Sequence, residues 1–540
     1  MLPTLSKPPK AVLEMFTMKS DLEDITRINS QMNPIEGDDT DGTFTLEEFS
    51  KLNLRENTSD GGFFSTKSLT AVWEYSKEPI KDPLLKNLIS NDELKEQSVA
   101  MFLAVMKYMG DYPSRRPRHG NDLTDGIFST PLQSELLRDE LYCQLCKQAT
   151  NNPNPMSEEH GWELLWLAAG LFAPSATLMQ HINKFFSARK DLNPMAQDCL
   201  ARLQKTVRIG NRKYAPHLVE VEAIQNKTTQ IFHKVYFPDD TDEAFEVESS
   251  TRAREFCQAI ANRLRLKSSE GFSLFVKIID KVIAVPESDF FFDFVRHLTD
   301  LLKKSRPDKS MLPQLTYQVF YMKKLWSSTA PGKDHNADNI FHYHQELPKY
   351  LRGYHRVTKH DAAELAALVY RVKFGEDKTN FANIPRMMRE LVPQDVAKTM
   401  AFDDWKRSII GKFNQSAGKS KEEAKLAFLK IIYRWSTFGS AFFEIKQHTD
   451  PSLPETLLIA INKQGVNLVE PATKDVICIH AFRNISNWTS GHTYFHMTIG
   501  QAQQGQKLLF ETNLGYKMDD LLTSYINFMM TTHKQKSRKL

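Results

Sequence analysis

The hydrophobic period of this chain switches three times, and those switches restrict its fold more than any other feature. Apolar residues recur at helical spacing from about residue 65 to 220, then begin to alternate. Helical spacing returns between about 335 and 435, and from Phe438 short alternating runs continue almost to the carboxyl end. Alternation lines one face of a strand, whereas a spacing of three and four lines one face of a helix, so no single layer architecture accommodates both blocks twice. The order predicts a multidomain α+β protein. A length of 540 residues agrees, being too much for one hydrophobic core.

Within the first block, Val99, Phe102, Leu103, Met106 and Met109 form one stripe, and Gly110 followed by Pro113 stops the helix. Further stripes at 132–149, 161–172, 177–188 and 194–208 complete an all-α bundle. The second block reads as a hairpin of VEVEAIQ and TTQIFHKVYF joined near Asn226, a helix capped by Ser250 and carrying Phe256, Ile260 and Leu264, then the strand GFSLFVKI. Hairpin, helix and strand in that order suggest a ubiquitin-like grasp. The third block carries Leu365, Leu368, Val369 and Val372 on one helix and a second run from Ser420 to Trp435. The last contains seven short strands, AFFEIKQ to KLLFET, and a helix from about Leu514 to Thr531, the order of an orthogonal pleckstrin-like sandwich. The expected limits are 1–63 for an acidic, largely irregular linker with one helix from about Pro9 to Asn29, and 64–218 for the bundle. The grasp spans 219–334, the second helical unit 335–436, the sandwich 437–532, and a basic tail 533–540.

Composition narrows the function. Hydrophobic residues at 41% and charged residues at 25% are those of an ordinary globular chain. Seventy Lys and Arg against 66 Asp and Glu leave only +4, too small an excess to imply a nucleic-acid binder by composition, so no nucleic-acid partner is expected and any basic function must be local. The charge is uneven: residues 1–63 hold 12 acids against 6 bases, while Lys534, Lys536, Arg538 and Lys539 cluster at the end. Five scattered cysteines point to a reducing, cytosolic setting, and neither a signal segment nor an apolar run long enough to span a bilayer occurs.

The chain shows no catalytic constellation and implies no cofactor or metal. Gly418, Lys419 and Ser420 imitate the end of a phosphate loop, but Phe413 stands where its first glycine belongs, and Ser420 with Glu423 forms a capping box. Asp39, Asp41, Gly42 and Glu48 imitate a calcium loop whose first ligand position is Gly37. Cys143 and Cys146 have no second pair for zinc and read as a buried helical turn, and His342/His344 and His492/His496 lack a zincin glutamate.

Surfaces remain. Arg115, Arg116 and Arg118, with Arg208, Arg212 and Lys213, are the candidate basic surface for acidic segments, tubulin tails or anionic lipid. Met518, Leu521, Leu522, Tyr525 and Met529 form the apolar stripe of the terminal helix. With Ile485 and Trp488 they are the candidate partner groove, whose edge accepts a strand by β-augmentation. Arg538, Lys539 and Leu540 are a candidate PDZ ligand, although Arg538 stands where many such ligands carry Ser or Thr.

The stretches MGDYPS (109–114), GWELLWLAAGLFAPS (161–175) and RKYAPHLVEVEAIQ (212–225) resemble a MyTH4 domain and its junction to a FERM domain. FPDDTDEAFEVESSTRAREFC, DFFFDFVRHLTD, ELPKYLRGYH, DDWKRSI, FGSAFFEIKQ, ISNWTSGHTYFHMTIG and LGYKMDDLLTSYI are similar to the three FERM lobes of class VII myosins, so the resemblance covers about 65 to 532. TFTLEEFS (43–50) is similar to the segment those tails place before MyTH4; the first 63 residues otherwise depart most, with no complete SH3 domain. The resemblance, to the carboxy-terminal tandem of a VIIa- or VIIb-like tail, implies a MyTH4 bundle packed on a FERM cloverleaf whose lobes are ubiquitin-like, acyl-CoA-binding-protein-like and pleckstrin/PTB-like. It implies a non-catalytic cargo module, with ATP hydrolysis and actin tracking in a motor outside this sequence. Implied partners are harmonin-type PDZ proteins and ankyrin-repeat adaptors, at the base or tip of microvilli or stereocilia. The alternatives are an electrostatic adaptor for anionic membrane or microtubules, and an autoinhibitory tail acting on its own motor.

Overall fold

The computed structural model describes residues 44–55, 72–114, 121–279, 281–305, 316–501 and 504–537. The expected helix at Pro9–Asn29, the calcium-loop residues Asp39, Asp41 and Gly42, and the cluster Arg115, Arg116 and Arg118 lie outside them, as do Arg538, Lys539 and Leu540. Two compact units emerge, Thr43–Phe438 and the part beginning at Gly439.

The first unit opens with a correction to the linker: Leu46–Asn53 is a helix (α1), capped by the Thr45 hydroxyl, which accepts from the Glu48 N–H. The Phe44 and Phe49 rings contact His181 edge-on, and His181 Nδ1 lies 2.9 Å from the Thr45 carbonyl. The bundle follows as α2 (Asp92–Met109), α3 (Asp122–Phe128), α4 (Glu135–Gln148), α5 (Pro155–Leu171), α6 (Ala176–Ser187) and α7 (Pro194–Ile209). Gly110 ends α2 at φ +85, a left-handed conformation that costs glycine little. Asn-Pro pairs start α5 and α7: Asn154 and Asn193 cap a backbone N–H, and each proline occupies the first turn, where its missing donor is harmless. Helix α5 is apolar nearly all round, and it is the buried centre of the bundle. Within α4, the buried Glu140 carboxylate accepts from the Leu84 and Leu85 N–H groups and the Ser98 hydroxyl, fixing the preceding segment to the bundle.

VEVEAIQ is not a strand. Leu218–Gln225 is helix α8, because Pro216 and His217 stop the chain and a capping box starts it: His217 Nδ1 accepts from Val219 N–H, and the Glu220 carboxylate accepts from His217 N–H. The hairpin forms later, from β1 (Phe232–Tyr236) and β2 (Asp242–Glu246). Helix α9 (Ala253–Arg263) begins at Arg252, not Ser250, because the Glu255 carboxylate reaches back to the Arg252 N–H. With β3 (Phe272–Ile278), β4 (Lys281–Ala284), α10 (Phe291–Ser305) and β5 (Tyr317–Lys323), the sheet has the order β2-β1-β5-β3-β4. Only β1 and β5 run parallel, the pattern of a ubiquitin-like grasp.

The next helices, α11 (Tyr343–Leu351), α12 (Lys359–Phe374), α13 (Phe402–Gln415) and α14 (Lys421–Ile432), bury Leu365, Leu368, Val369, Trp405 and Phe428 in one cluster. Ser420 and Glu423 make the expected capping box of α14, and Gly418 turns the preceding loop at φ +81.

The second unit contains seven strands at the expected places: β6 (Ala441–Gln447), β7 (Thr456–Asn462), β8 (Gly465–Val469), β9 (Val476–His480), β10 (Ile485–Ser490), β11 (Tyr494–Ile499) and β12 (Gln506–Glu511). Their order is β10-β11-β12-β6-β7-β8-β9, antiparallel throughout. Strands β12 and β6 pair over two residue positions only, so the sheet divides there into three- and four-stranded halves, and α15 (Gly515–Ser537) closes the core.

Candidate partner-binding surfaces

The groove residues divide. Met518, Leu522 and Tyr525 on α15 are essentially inaccessible, and Leu521 and Ile485 are buried with them. The Tyr525 ring stacks on Phe482 at 5.3 Å. These five seal the sandwich and are removed from the partner-facing set, because an apolar helical stripe facing a sheet goes first to that sheet's core. Trp488 and Met529 stay half-buried. The Trp488 indole N–H donates to Asp519 Oδ1 at 2.8 Å, and the Ser490 hydroxyl donates to Asp519 Oδ2 at 3.1 Å. One carboxylate near the start of α15, just past its first turn, thereby pins the helix to β10. Asp519 was not singled out from sequence, because its two donors lie on another element about thirty residues earlier. Strand β10 is the last in the sheet, so one of its backbone edges has no described neighbour. Exposed Asn487 and Thr489 lie along it.

The described basic residues divide as well. Arg208 and Lys213 are exposed, but Arg212 is not a surface group. Its guanidinium is buried between Glu220 Oε1, 2.5 Å from Nη1, and Asp293 Oδ1, 2.8 Å from Nε. Burial, the largest single influence, pushes Glu220 up, but the Arg212 charge together with hydrogen bonds from Arg212, Ser249 and the His217 N–H holds the carboxyl below the usual range. Asp293 Oδ2 also accepts from the Lys213 N–H. Nearby, Arg296 of α10 donates through Nη2 to both Asp125 oxygens and through Nη1 to the Pro216 carbonyl. Arg202 lies 3.4 Å over the Trp166 ring and donates to Ser249, and Lys205 pairs with Glu248. These contacts join the helical bundle to the grasp lobe. Against the same joint, burial pulls His217 down to about 3 and His233 to about 4; His233 Nε2 lies 2.6 Å from the Tyr317 hydroxyl.

Cys143 and Cys146 are buried one turn apart in α4, and burial raises both thiols, Cys146 to about 12. Such thiols are poor nucleophiles. His342 Nδ1 contacts Asp338 at 2.7 Å, and His344 is half-buried. His492 lies in the turn between β10 and β11, so His492 and His496 do not share a strand. Among the described residues no three His, Cys, Asp or Glu side chains converge to hold a metal ion.

Four family models match in sequence order: a MyTH4 domain at 124–223, an RA like domain at 229–317, a FERM central domain at 334–443 and a PTB domain (IRS-1 type) at 443–530. They fall on the bundle, the grasp, the second helical unit and the sandwich. A solved human Myosin 7b C-terminal MyTH4-FERM domain, in complex with harmonin-a PDZ3, superposes with a TM-score of 0.81 at 49% identity, covering 90% of this chain and 97% of that one. The chain belongs to the MyTH4-FERM family of class VII myosin tails. Myosin-VIIa of Drosophila melanogaster is 59% identical over 98% of this chain and 25% of its own length. Unconventional myosin-VIIb of Mus musculus is 46% identical, again over 98% of this chain and 25% of its own. This MyTH4-FERM chain thus spans about a quarter of those relatives. It contains none of their motor domain, and the matched families are binding modules rather than catalytic ones. Among the described residues no helix is long and apolar enough to cross a membrane.

Proposed function

We propose that this MyTH4-FERM chain is a cargo-binding tail module that couples a class VII myosin to adhesion scaffolds in actin-bundle protrusions, microvilli or stereocilia, on the cytoplasmic side. Harmonin-type PDZ proteins are the first partner class and ankyrin-repeat adaptors the second. The observation that carries this is the 49% identical myosin 7b structure, solved with harmonin-a PDZ3. Two regions of this chain suit such a partner. Arg538, Lys539 and Leu540 form the segment proposed as a PDZ ligand, with Leu540 as the apolar side chain such a pocket takes. Trp488, Met529 and the open edge of β10 offer an aromatic anchor beside unpaired backbone.

The test is calorimetric titration of the whole chain with a purified harmonin-type PDZ domain, repeated after deletion of 534–540 and after Trp488→Ala. Loss on deletion assigns the terminus; loss only with Trp488→Ala assigns the β10 edge. An absence of binding to the intact chain would remove the harmonin-type reading.

A further inference from the structure

The grasp lobe has a face that its own fold leaves open. One side of its sheet carries Val235, Val276, Val319 and Phe245, all buried, and Phe245 meets Phe256 of α9 at 6.2 Å. On a sheet covered on one side only, the other side should alternate to polar residues. Here it does not. Register places Tyr236 of β1 beside Phe320 of β5, Phe320 beside Phe275 of β3, and Phe275 beside Ala284 of β4. The result is an unbroken apolar row across four strands. All four residues are half-buried, and the Tyr236 and Phe320 rings lie 5.5 Å apart, tilted by 33°. Two rows along β1, on the same face, Phe232 is 58% exposed. Aromatic residues held rigidly on a sheet and still partly wet are the composition of a binding hot spot rather than of a solvated face.

We propose that this face docks a short amphipathic helix of a protein partner, apolar along one stripe and bearing carboxylates on the flank that meets Lys277. Three strand spacings make the row about 14 Å long. At 1.5 Å per residue that length suits a helix presenting apolar residues at i, i+3 or i+4, and i+7 over roughly ten positions. An added strand does not suit it, because β1, β5 and β3 each have paired neighbours on both edges. The charge sets the flank. Lys234, in the next row, is already occupied by Asp242 at 3.0 Å and by the Tyr236 ring. Lys277 lies in that same row beside Gln318 and Val282, is exposed, and forms no ion pair among the described residues. A nucleic-acid strand, the other ligand that stacks on aromatic sheets, meets Asp242 and Glu246 on the same face of the β2 edge, where phosphates are repelled.

The test uses the full chain and a fluorescein-labelled model helix with Leu at i, i+3, i+4 and i+7, Glu on one flank and Ala elsewhere. Fluorescence anisotropy should show saturable binding, weakened at least about tenfold by Phe320→Ser. Lys277→Glu should weaken it about threefold and reverse the preference toward a Lys-flanked version of the same helix. If Phe320→Ser does not fold, that charge exchange alone decides. The proposal is overturned by absent binding, or by binding indifferent to both substitutions. It is equally overturned if labelled oligouridylate takes the face in place of the peptide, or if sedimentation shows the face occupied by a second copy of the chain.

Discussion

Arg212 and Asp293 lie 81 residues apart in sequence and 2.8 Å apart in space, Nε to Oδ1, with Glu220 completing the pair from α8. All three side chains are almost wholly inaccessible, so their mutual attraction is barely screened, and removing the cation leaves two buried carboxylates without compensation. Arg212→Ala should therefore destabilise the joint between bundle and grasp lobe by about 3–5 kcal/mol. Urea unfolding followed by fluorescence checks this. Arg208→Ala, in the last turn of α7 and four residues before Arg212 but exposed, is the control and should shift the midpoint hardly at all. Equal midpoints for the two variants would mean that Arg212 contributes nothing special.

The same joint should weaken in acid. His217 and His233 are held neutral by burial, at about 3 and about 4, whereas an unfolded histidine titrates near 6.5. The unfolded chain therefore binds more protons between those values, and stability falls as pH drops below about 6.5. At pH 5 each histidine should have cost roughly 2 kcal/mol relative to pH 7.5. Arg296 and Arg212 beside His217 add to the penalty of protonating it, while Glu220 offsets part. Denaturation midpoints at the two pH values, for the native chain and for His233→Gln, measure the effect; a midpoint gap that the substitution leaves unchanged would exclude His233 as a contributor.

How much of this was legible depends on how local its cause is. The strands from Ala441 to Glu511 were readable because alternation is set by neighbours two residues away, and the α14 cap because Ser420 and Glu423 are three apart. Helix α8 misled because Val-Glu alternation over a few residues imitates a strand, while the decisive His217–Glu220 cap is a less familiar variant of the capping box. Arg212 looked like surface because Asp293 is remote in sequence, and nothing local distinguishes it from Arg208. The groove stripe was correctly apolar, but apolarity cannot tell a face sealed by its own sheet from one left for a partner.

The Ser420 cap gives a small, clean prediction. Its hydroxyl accepts from Glu423 N–H at 3.1 Å, and its own N–H donates to Glu423 Oε2 at 2.8 Å. Ser420→Ala should cost about 1 kcal/mol, and Ser420→Asp, which keeps an acceptor at the helix start, should cost less. Melting curves of the two variants rank them; Ala equal to or above Asp would contradict capping as the role of this residue.

Asp519 offers the last prediction, because it fastens α15 to the open strand. Its two oxygens take separate donors, Trp488 Nε1 and the Ser490 hydroxyl, from the same strand. Asp519→Asn retains one acceptor oxygen and keeps the size, so it should preserve part of the link, whereas Asp519→Ala leaves the indole N–H of a half-buried tryptophan without its carboxylate. The core residues Met518, Leu522 and Tyr525 still seal the sheet in either variant, so global stability should fall by only about 1–3 kcal/mol. The local effect is larger: hydrogen exchange should accelerate along β10 and the first turns of α15, more in Asp519→Ala than in Asp519→Asn, with β7 and β8 unchanged. Uniform acceleration across the sandwich would mean that the carboxylate supports the whole fold rather than the position of one strand against one helix.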